Sequence, residues 1–292
     1  MKLAKLGVWA GMDAFTAQEA AAFAKRVEAW GYGALWIPEA MGRNSFAHAA
    51  WLLANTTSLV IATGIANIYA RDWVAAASAQ NALNEQSGGR FLLGLGVSHI
   101  PLVEGFRGQH YDRPVETMRA YLKGMKKTFY GAPPPPEPPQ TVIAALGPKM
   151  LALAREEADG AHPYNVTPEH TASARKMLGP GKLLCPEQMI LAEADPAKAR
   201  ARARAHLAIY LSLPNYVNNW KRLGFTEADF AKGGSDRLVD AMVAWGGDEA
   251  IRARLEANWD AGADHVCIQA LGGAVRPTKP DEELLKRFAP GA

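Results

Sequence analysis

Cysteine is scarce: the 292-residue chain holds two, Cys185 and Cys267, far apart and neither in a CxxC pair. That spacing gives a zinc site or a disulfide framework no support and leaves buried, reduced thiols as the expectation. No apolar run reaches the length of a membrane span, and the opening MKLAKLGVW lacks the charged-then-apolar layout of a signal peptide. A soluble cytoplasmic protein without a membrane partner is expected. Charge of one sign is missing as well. The 32 basic and 29 acidic residues are interspersed and leave a net +3, which implies no nucleic-acid partner and only a modest attraction for anionic ligands.

What the chain has in quantity is apolar side chain, 49% of residues against 21% charged, enough for a large core and too much for a disordered protein. Short β-rich runs alternate with longer runs of helical period, the pattern of repeated βα units on a parallel sheet. The runs fall at 3–9, 34–38, 59–65, 91–97, 141–146, 160–163, 183–192 and 265–271, the sixth being the faintest. Eight such units predict a (β/α)8 TIM barrel. Barrels of this kind fold a chain of this length around one core, so a single domain over 1–292 is expected.

Helix punctuation fits between these runs. Thr16 and Glu19 form a capping-box pattern, Phe23, Val27 and Trp30 share a face, and Gly31 and Gly33 end the helix. Asp72 is placed to cap a helix ending at Gly88 and Gly89, and Pro114, Pro168 and Pro196 sit where a first helical turn tolerates proline. Met118, Leu122, Met125 and Phe129 recur at helical spacing and are expected to pack in the core. The proline-rich run 133–139 can be neither helix nor central strand and predicts an extended surface linker. The long loop 98–114 and the helical excursion 210–246 predict insertions at the C-terminal face of the barrel, walling the site. Arg200, Arg202 and Arg204 spread over more than one helix face and read as a solvated surface.

In a parallel barrel the ligand sits at the carboxyl ends of the strands, so the residues just after each strand carry the information. That rule selects Trp9, Glu39, the run 64–67, Ser98 with His99, and Gly147-Pro148-Lys149. The run 94–99 lacks the third glycine of a dinucleotide fingerprint and meets Pro101 at once, so a Rossmann site is disfavoured. Gly147 to Lys149 opens a helix and presents free N–H groups, a favourable dipole and a cation to an anion such as a phosphate, although an ordinary strand-to-helix turn looks the same. Trp9, Tyr69 and Trp51 can shape an apolar ring pocket or simply pack the barrel.

The stretches GYGALWIPEAMG, LVIATGIANIYARDWVAAASAQNALNEQSGGRFLLGLGVSH and AALGPKMLALAREEADG, in that order, resemble the luciferase-like monooxygenase superfamily, above all its branch that uses the deazaflavin coenzyme F420. The likeness resumes weakly at AGADHVCIQAL. It implies a bulge with a non-proline cis peptide at Gly64-Ile65 on which a tricyclic ring rests, with Asn67 close by and Gly96, Val97 and Ser98 bordering the ring. It places His99 near the reacting carbon, where an imidazole can give or take a proton beside hydride transfer. It makes Glu39 a residue that helps hold the cofactor or a water, and Trp9 a wall of the same pocket. Without the resemblance Gly64 reads as an ordinary strand end, and a hydrogen-bonded loop histidine at 99 and a solvated carboxylate at 39 are the rival readings. In the sugar-phosphate dehydrogenases of the family a histidine base follows the acidic position, whereas this chain has Ala40. The resemblance thus implies hydride transfer between coenzyme F420 and a small organic substrate, in a homodimer. FMN-dependent monooxygenation and non-catalytic flavin binding are the alternatives.

Overall fold

The computed structural model describes residues 3–272 and 279–291. Every one of the eight apolar runs contains a strand. They are β1 (Leu6–Trp9), β2 (Ala34–Ile37), β3 (Val60–Thr63) and, after a two-residue β4 (Ala66–Asn67), β5 (Phe91–Gly96). β6 (Thr141–Ile143), β7 (Gly160–Ala161), β8 (Leu183–Leu184), β9 (Glu187–Leu191), β10 (Val243–Trp245) and β11 (Val266–Ala270) follow. All pairings are parallel, and the ladder runs β9-β11-β1-β2-β3-β5-β6-β7-β8, with β10 on the far side of β9 and β4 beside β5. The seventh run breaks into β8 and β9 at Cys185 and Pro186, because proline has no N–H to give the ladder. Backbone bonds continue across the break nonetheless, from Cys185 N to Ala161 O and from Cys267 N to Pro186 O. The result is an α/β fold on a parallel sheet whose strands are buried, as their near-continuous apolar sequence requires.

The helices are α1 (Ala17–Ala29), α2 (Ser45–Ala54), α3 (Trp73–Ser87), α4 (Pro114–Lys127), α5 (Pro148–Glu157) and α6 (Pro168–Leu178). Next come α7 (Pro196–Leu211), α8 (Pro214–Arg222), α9 (Glu227–Phe230), α10 (Asp236–Met242), α11 (Asp248–Asp260) and α12 (Glu282–Arg287). Their ends obey the capping rules. Thr16 and Glu19 exchange side-chain-to-backbone bonds as a capping box, the Asp72 carboxylate accepts from Ala75 N, and Gly88 closes α3 at φ 67°. The three prolines at 114, 168 and 196 each open a helix.

Three expectations change. Phe129 lies beyond the end of α4 and is 88% exposed, so only Met118, Leu122 and Met125 of its stripe meet the core. The loop after Gly96 contains a π-helical turn, Pro101–Phe106. The arginines of α7 are tied down rather than merely solvated: Arg200 bonds Asp236 and Asp240, Arg204 bonds Asp236, and Arg202 donates to the carbonyls of Leu271 and Gly272. These links pin α7 to α10 and to the end of β11, around an apolar cluster centred on the fully buried Trp220. Both cysteines are free and buried. Among the described residues no helix is long and apolar enough to cross a membrane.

Candidate active site

A cavity of ≈ 980 Å³ opens at the carboxyl ends of the strands. Trp9 follows into it from β1, Glu39 and Ala40 from β2, Gly64 and Ile65 from β3, Ser98 and His99 from β5, Ala144 from β6, and His162 and Tyr164 from β7. Tyr210 of α7 and Tyr216 of α8 wall the remaining side with Leu102 of the π-helical turn. The volume is at the upper end of what a drug-sized ligand needs.

The floor is built on Gly64-Ile65, joined by a cis peptide as the resemblance implies. Gly64 N donates to Ile37 O, Glu39 N donates to Ile65 O, and Trp9 Nε1 donates to Gly64 O at 2.9 Å. A Cβ on Gly64 would stand 2.9 Å from both Trp9 Nε1 and His162 Nε2, closer than a Cβ can pack, so these two side chains already fill the space beside residue 64 and only glycine fits there. The Ile65 side chain turns the other way, into room that exists because residue 96 is glycine. Ser98 adopts φ 59°, a left-handed conformation unusual for serine, as the chain leaves β5.

Glu39 borders the cavity but spends its oxygens on the scaffold. It pairs with Arg71, accepts from Asn67 N at 2.8 Å and Ser45 N at 3.1 Å, and is almost wholly buried. Burial resists its ionisation, yet the Arg71 guanidinium and the two N–H groups outweigh that and hold its pKa below the usual carboxylate value. Asn67 is buried behind the floor, where its side chain accepts from Tyr69 N. His99 stands 5.7 Å, ring to ring, from Tyr216. Burial lowers its pKa, and a hydrogen bond with Asn215 works in the opposite direction. Opposite it, the Tyr164 hydroxyl donates to Gln269 Oε1 at 2.8 Å and so accepts from Tyr210 at 2.9 Å, since each phenol has one proton to give.

The model of the luciferase-like monooxygenase family matches residues 2–265. The chain belongs to this family. It is 29% identical to a 5,10-methylenetetrahydromethanopterin reductase of Methanolobus tindarius, over 88% of this chain and 90% of that one. It is 25% identical to a Mycobacterium tuberculosis protein assigned as a coenzyme F420-dependent oxidoreductase, over 94% of this chain and 96% of that one. Its fold is shared with the coenzyme F420-dependent tetrahydromethanopterin reductase of Methanopyrus kandleri, at a TM-score of 0.75 and 17% identity, covering 99% and 97% of the two chains.

Of the site residues expected for this luciferase-like chain, the fold brings Trp9, Glu39, Gly64, Ile65, Ser98 and His99 to one cavity. Asn67, Gly96 and Val97 lie outside its lining, in or directly after the strands that support it. Gly147, Pro148 and Lys149 are also outside the lining: Gly147 caps α5, and a Cβ there would be 3.2 Å from Arg222 Nη2. Arg222 therefore adds a cation to the expected anion site that no local motif announces. Trp51 and Tyr69 take no part in the cavity; Trp51 donates to Ala17 O, and Tyr69 stacks with Tyr111. His162 and Tyr164 follow β7 directly, the position that selects Glu39 and His99 on their strands, but the sixth apolar run, read as 160–163, took His162 into the strand itself.

Proposed function

We propose that this chain is a coenzyme F420-dependent oxidoreductase that moves hydride between the deazaflavin and a small organic substrate, on one (β/α)8 barrel domain spanning 1–292. The observation that carries the reading is the floor at Gly64-Ile65, where residue 64 has no side chain and that of Ile65 packs towards Gly96, beneath a cavity large enough for a tricyclic ring and a substrate. The strand ladder that passes from β7 through 183–191 to β11 and back to β1 supports the barrel. When bound, the deazaflavin supplies the redox chemistry. The chain supplies the rest. Trp9, Gly64, Ile65 and Ser98 hold the ring, with Glu39, Asn67, Gly96 and Val97 shaping the floor from behind. Gly147, Pro148 and Lys149, joined by Arg222, receive the phosphate, and His99 handles the proton.

Titrating the purified protein separately with coenzyme F420 and FMN tests the cofactor. The expected result is saturable binding of the deazaflavin and oxidation of its reduced form by an enone, imine or ketone. Turnover only with reduced FMN and oxygen overturns the reading. Lys149→Glu reverses a charge at the phosphate site and is expected to weaken deazaflavin binding by about 1–3 kcal/mol, read from the same titration. Unchanged affinity moves the phosphate elsewhere.

Sugar phosphates are expected to fail as substrates. Ala40 lines the cavity and has no group to take a hydroxyl proton, and losing a general base removes roughly 10²–10⁴ in rate. Oxidised deazaflavin with glucose 6-phosphate should show no reduction of the cofactor, and robust reduction would contradict this assignment.

A further inference from the structure

The cavity wall beside His99 comes from one stretch of chain, the end of α7 and the start of α8. Ile209 and Tyr210 stand in the last turn of α7, Leu213 directly precedes the proline that opens α8, and Tyr216 lies in the first turn after it. Tyr164, after β7, joins them. The Tyr210 and Tyr216 rings meet at 5.0 Å and 76°, Tyr164 and Tyr210 at 5.5 Å and 48°, and Tyr164 and Tyr216 at 6.3 Å and 66°. Tilted and edge-to-face contacts of this kind are what aromatic rings prefer, and they pack the three phenols into one block.

The polar atoms of this block are bonded within the protein. Tyr164 donates to Gln269 Oε1, Tyr210 meets the Tyr164 hydroxyl, and Gln269 Nε2 donates to His206 Nε2 at 3.4 Å. Among the described residues the charged side chains on the cavity lining are Asp13, Glu39 and Arg43, and each has a partner. Glu39 pairs with Arg71, Asp13 accepts from Arg43 N, and the Arg43 guanidinium donates to the carbonyls of Met12 and Phe15. What a ligand meets on this side is therefore ring and hydrocarbon. Ile209 and Met41 also line the cavity and are 55% and 68% exposed, so apolar surface stands in water until something covers it. A charged or polyhydroxylated ligand would lose its water against this wall and gain no partner in return.

We propose that the wall of Tyr210, Leu213 and Tyr216, with Ile209, selects neutral substrates with an aryl or alicyclic body whose one polar group is the carbonyl or imine to be reduced. The assignment rests on the oxidoreductase reading above and names its substrate class. The His99 ring stands 5.7 Å from that of Tyr216, so a molecule lying against Tyr216 brings its polar end to the proton source. Selection works from both sides: covering the hydrocarbon wall favours the apolar body, and the lack of an unpaired counter-charge rejects the anion.

Two measurements on the full-length protein test this. The first is calorimetric titration with phenylpropionamide and phenylpropionate, a neutral and an anionic compound of one shape, with saturating oxidised F420 and without it. The amide should bind with a negative heat-capacity change, the mark of apolar burial, and the carboxylate at least about 10-fold more weakly. The second is the KM for cyclohexenone, benzylideneacetone and para-carboxybenzylideneacetone in the oxidation of reduced F420. KM should fall by about 3–10-fold from the first to the second and rise again by at least about 10-fold with the carboxylate. Ile209→Ser and Tyr210→Ala should each raise the KM for benzylideneacetone by about 3–10-fold with little change in kcat, either one sufficing if the other fails to fold. Phenylpropionate that binds as tightly as the amide, a carboxylated enone with a KM at or below that of its parent, or wild-type KM in the folded variants overturns this assignment alone. A wild-type protein that binds neither F420 nor FMN overturns the cofactor reading and the assignment with it.

Discussion

Glu39→Ala should destabilise the fold by about 3–5 kcal/mol, because it leaves the Arg71 guanidinium buried without its counter-charge. The two side chains are 4% and 9% exposed, so water cannot replace the lost partner as it does at a surface pair. Arg71 also stands 4.4 Å over the Phe46 ring, and the same carboxylate receives the N–H groups of Ser45 and Asn67. One substitution thus loosens the start of α2, the segment behind the floor and the floor itself. Urea unfolding measures the loss. Replacing both partners by apolar residues, Glu39→Leu with Arg71→Met, should cost clearly less than the sum of the single changes. The pH dependence has a fixed sign. A carboxyl whose folded pKa is depressed below 4.5 contributes in full above that value and loses its contribution as the pH falls through the folded pKa. Wild type should therefore lose stability in acid more steeply than Glu39→Gln, and parallel curves would mean the pair is energetically idle.

The strands were readable in the sequence because a parallel strand buried on both faces is an uninterrupted apolar run. FLLGLG and VIAT are of that kind, and their ends select Ser98, His99, Gly64 and Ile65 directly. The sixth strand was faint because it is two small residues, Gly160 and Ala161, and the run of small side chains hid the HPY that follows it. What the sequence conceals is pairing across distance. Arg71 is an ordinary arginine in IYARDW until the fold sets it against Glu39, 32 positions earlier. His162 keeps one tautomer because the Cys185 carbonyl, 23 residues on, accepts from its Nδ1. Arg222 reaches Gly147 from an excursion whose helical period was visible but whose docking was not. Periodicity and strand-end position locate a site, whereas its tautomers and ion pairs come from contacts that no local pattern encodes.

His99→Ala should lower turnover by roughly 10²–10⁴ while changing cofactor affinity little, if His99 hands a proton to the substrate during reduction. The geometry separates the two effects, since the His99 ring stands against Tyr216 rather than on the Gly64-Ile65 floor. Because burial holds the pKa of His99 below 6.5, only a minority carries the second proton at neutral pH, and that minority is a correspondingly strong acid. Turnover with an imine or ketone should accordingly rise as the pH falls below 6.5 and level off beneath the folded pKa. The hydrogen bond with Asn215 raises the pKa, so Asn215→Ala should move the rise to still lower pH without abolishing it. His162, whose pKa burial pushes down to about 4, stays neutral over most of that range and is not expected to mimic the profile. Stopped-flow oxidation of the reduced deazaflavin at a series of pH values gives turnover, and titration of the oxidised form gives affinity. Wild-type turnover in His99→Ala, or a profile that Asn215→Ala leaves in place, would assign the proton to another group in the cavity wall.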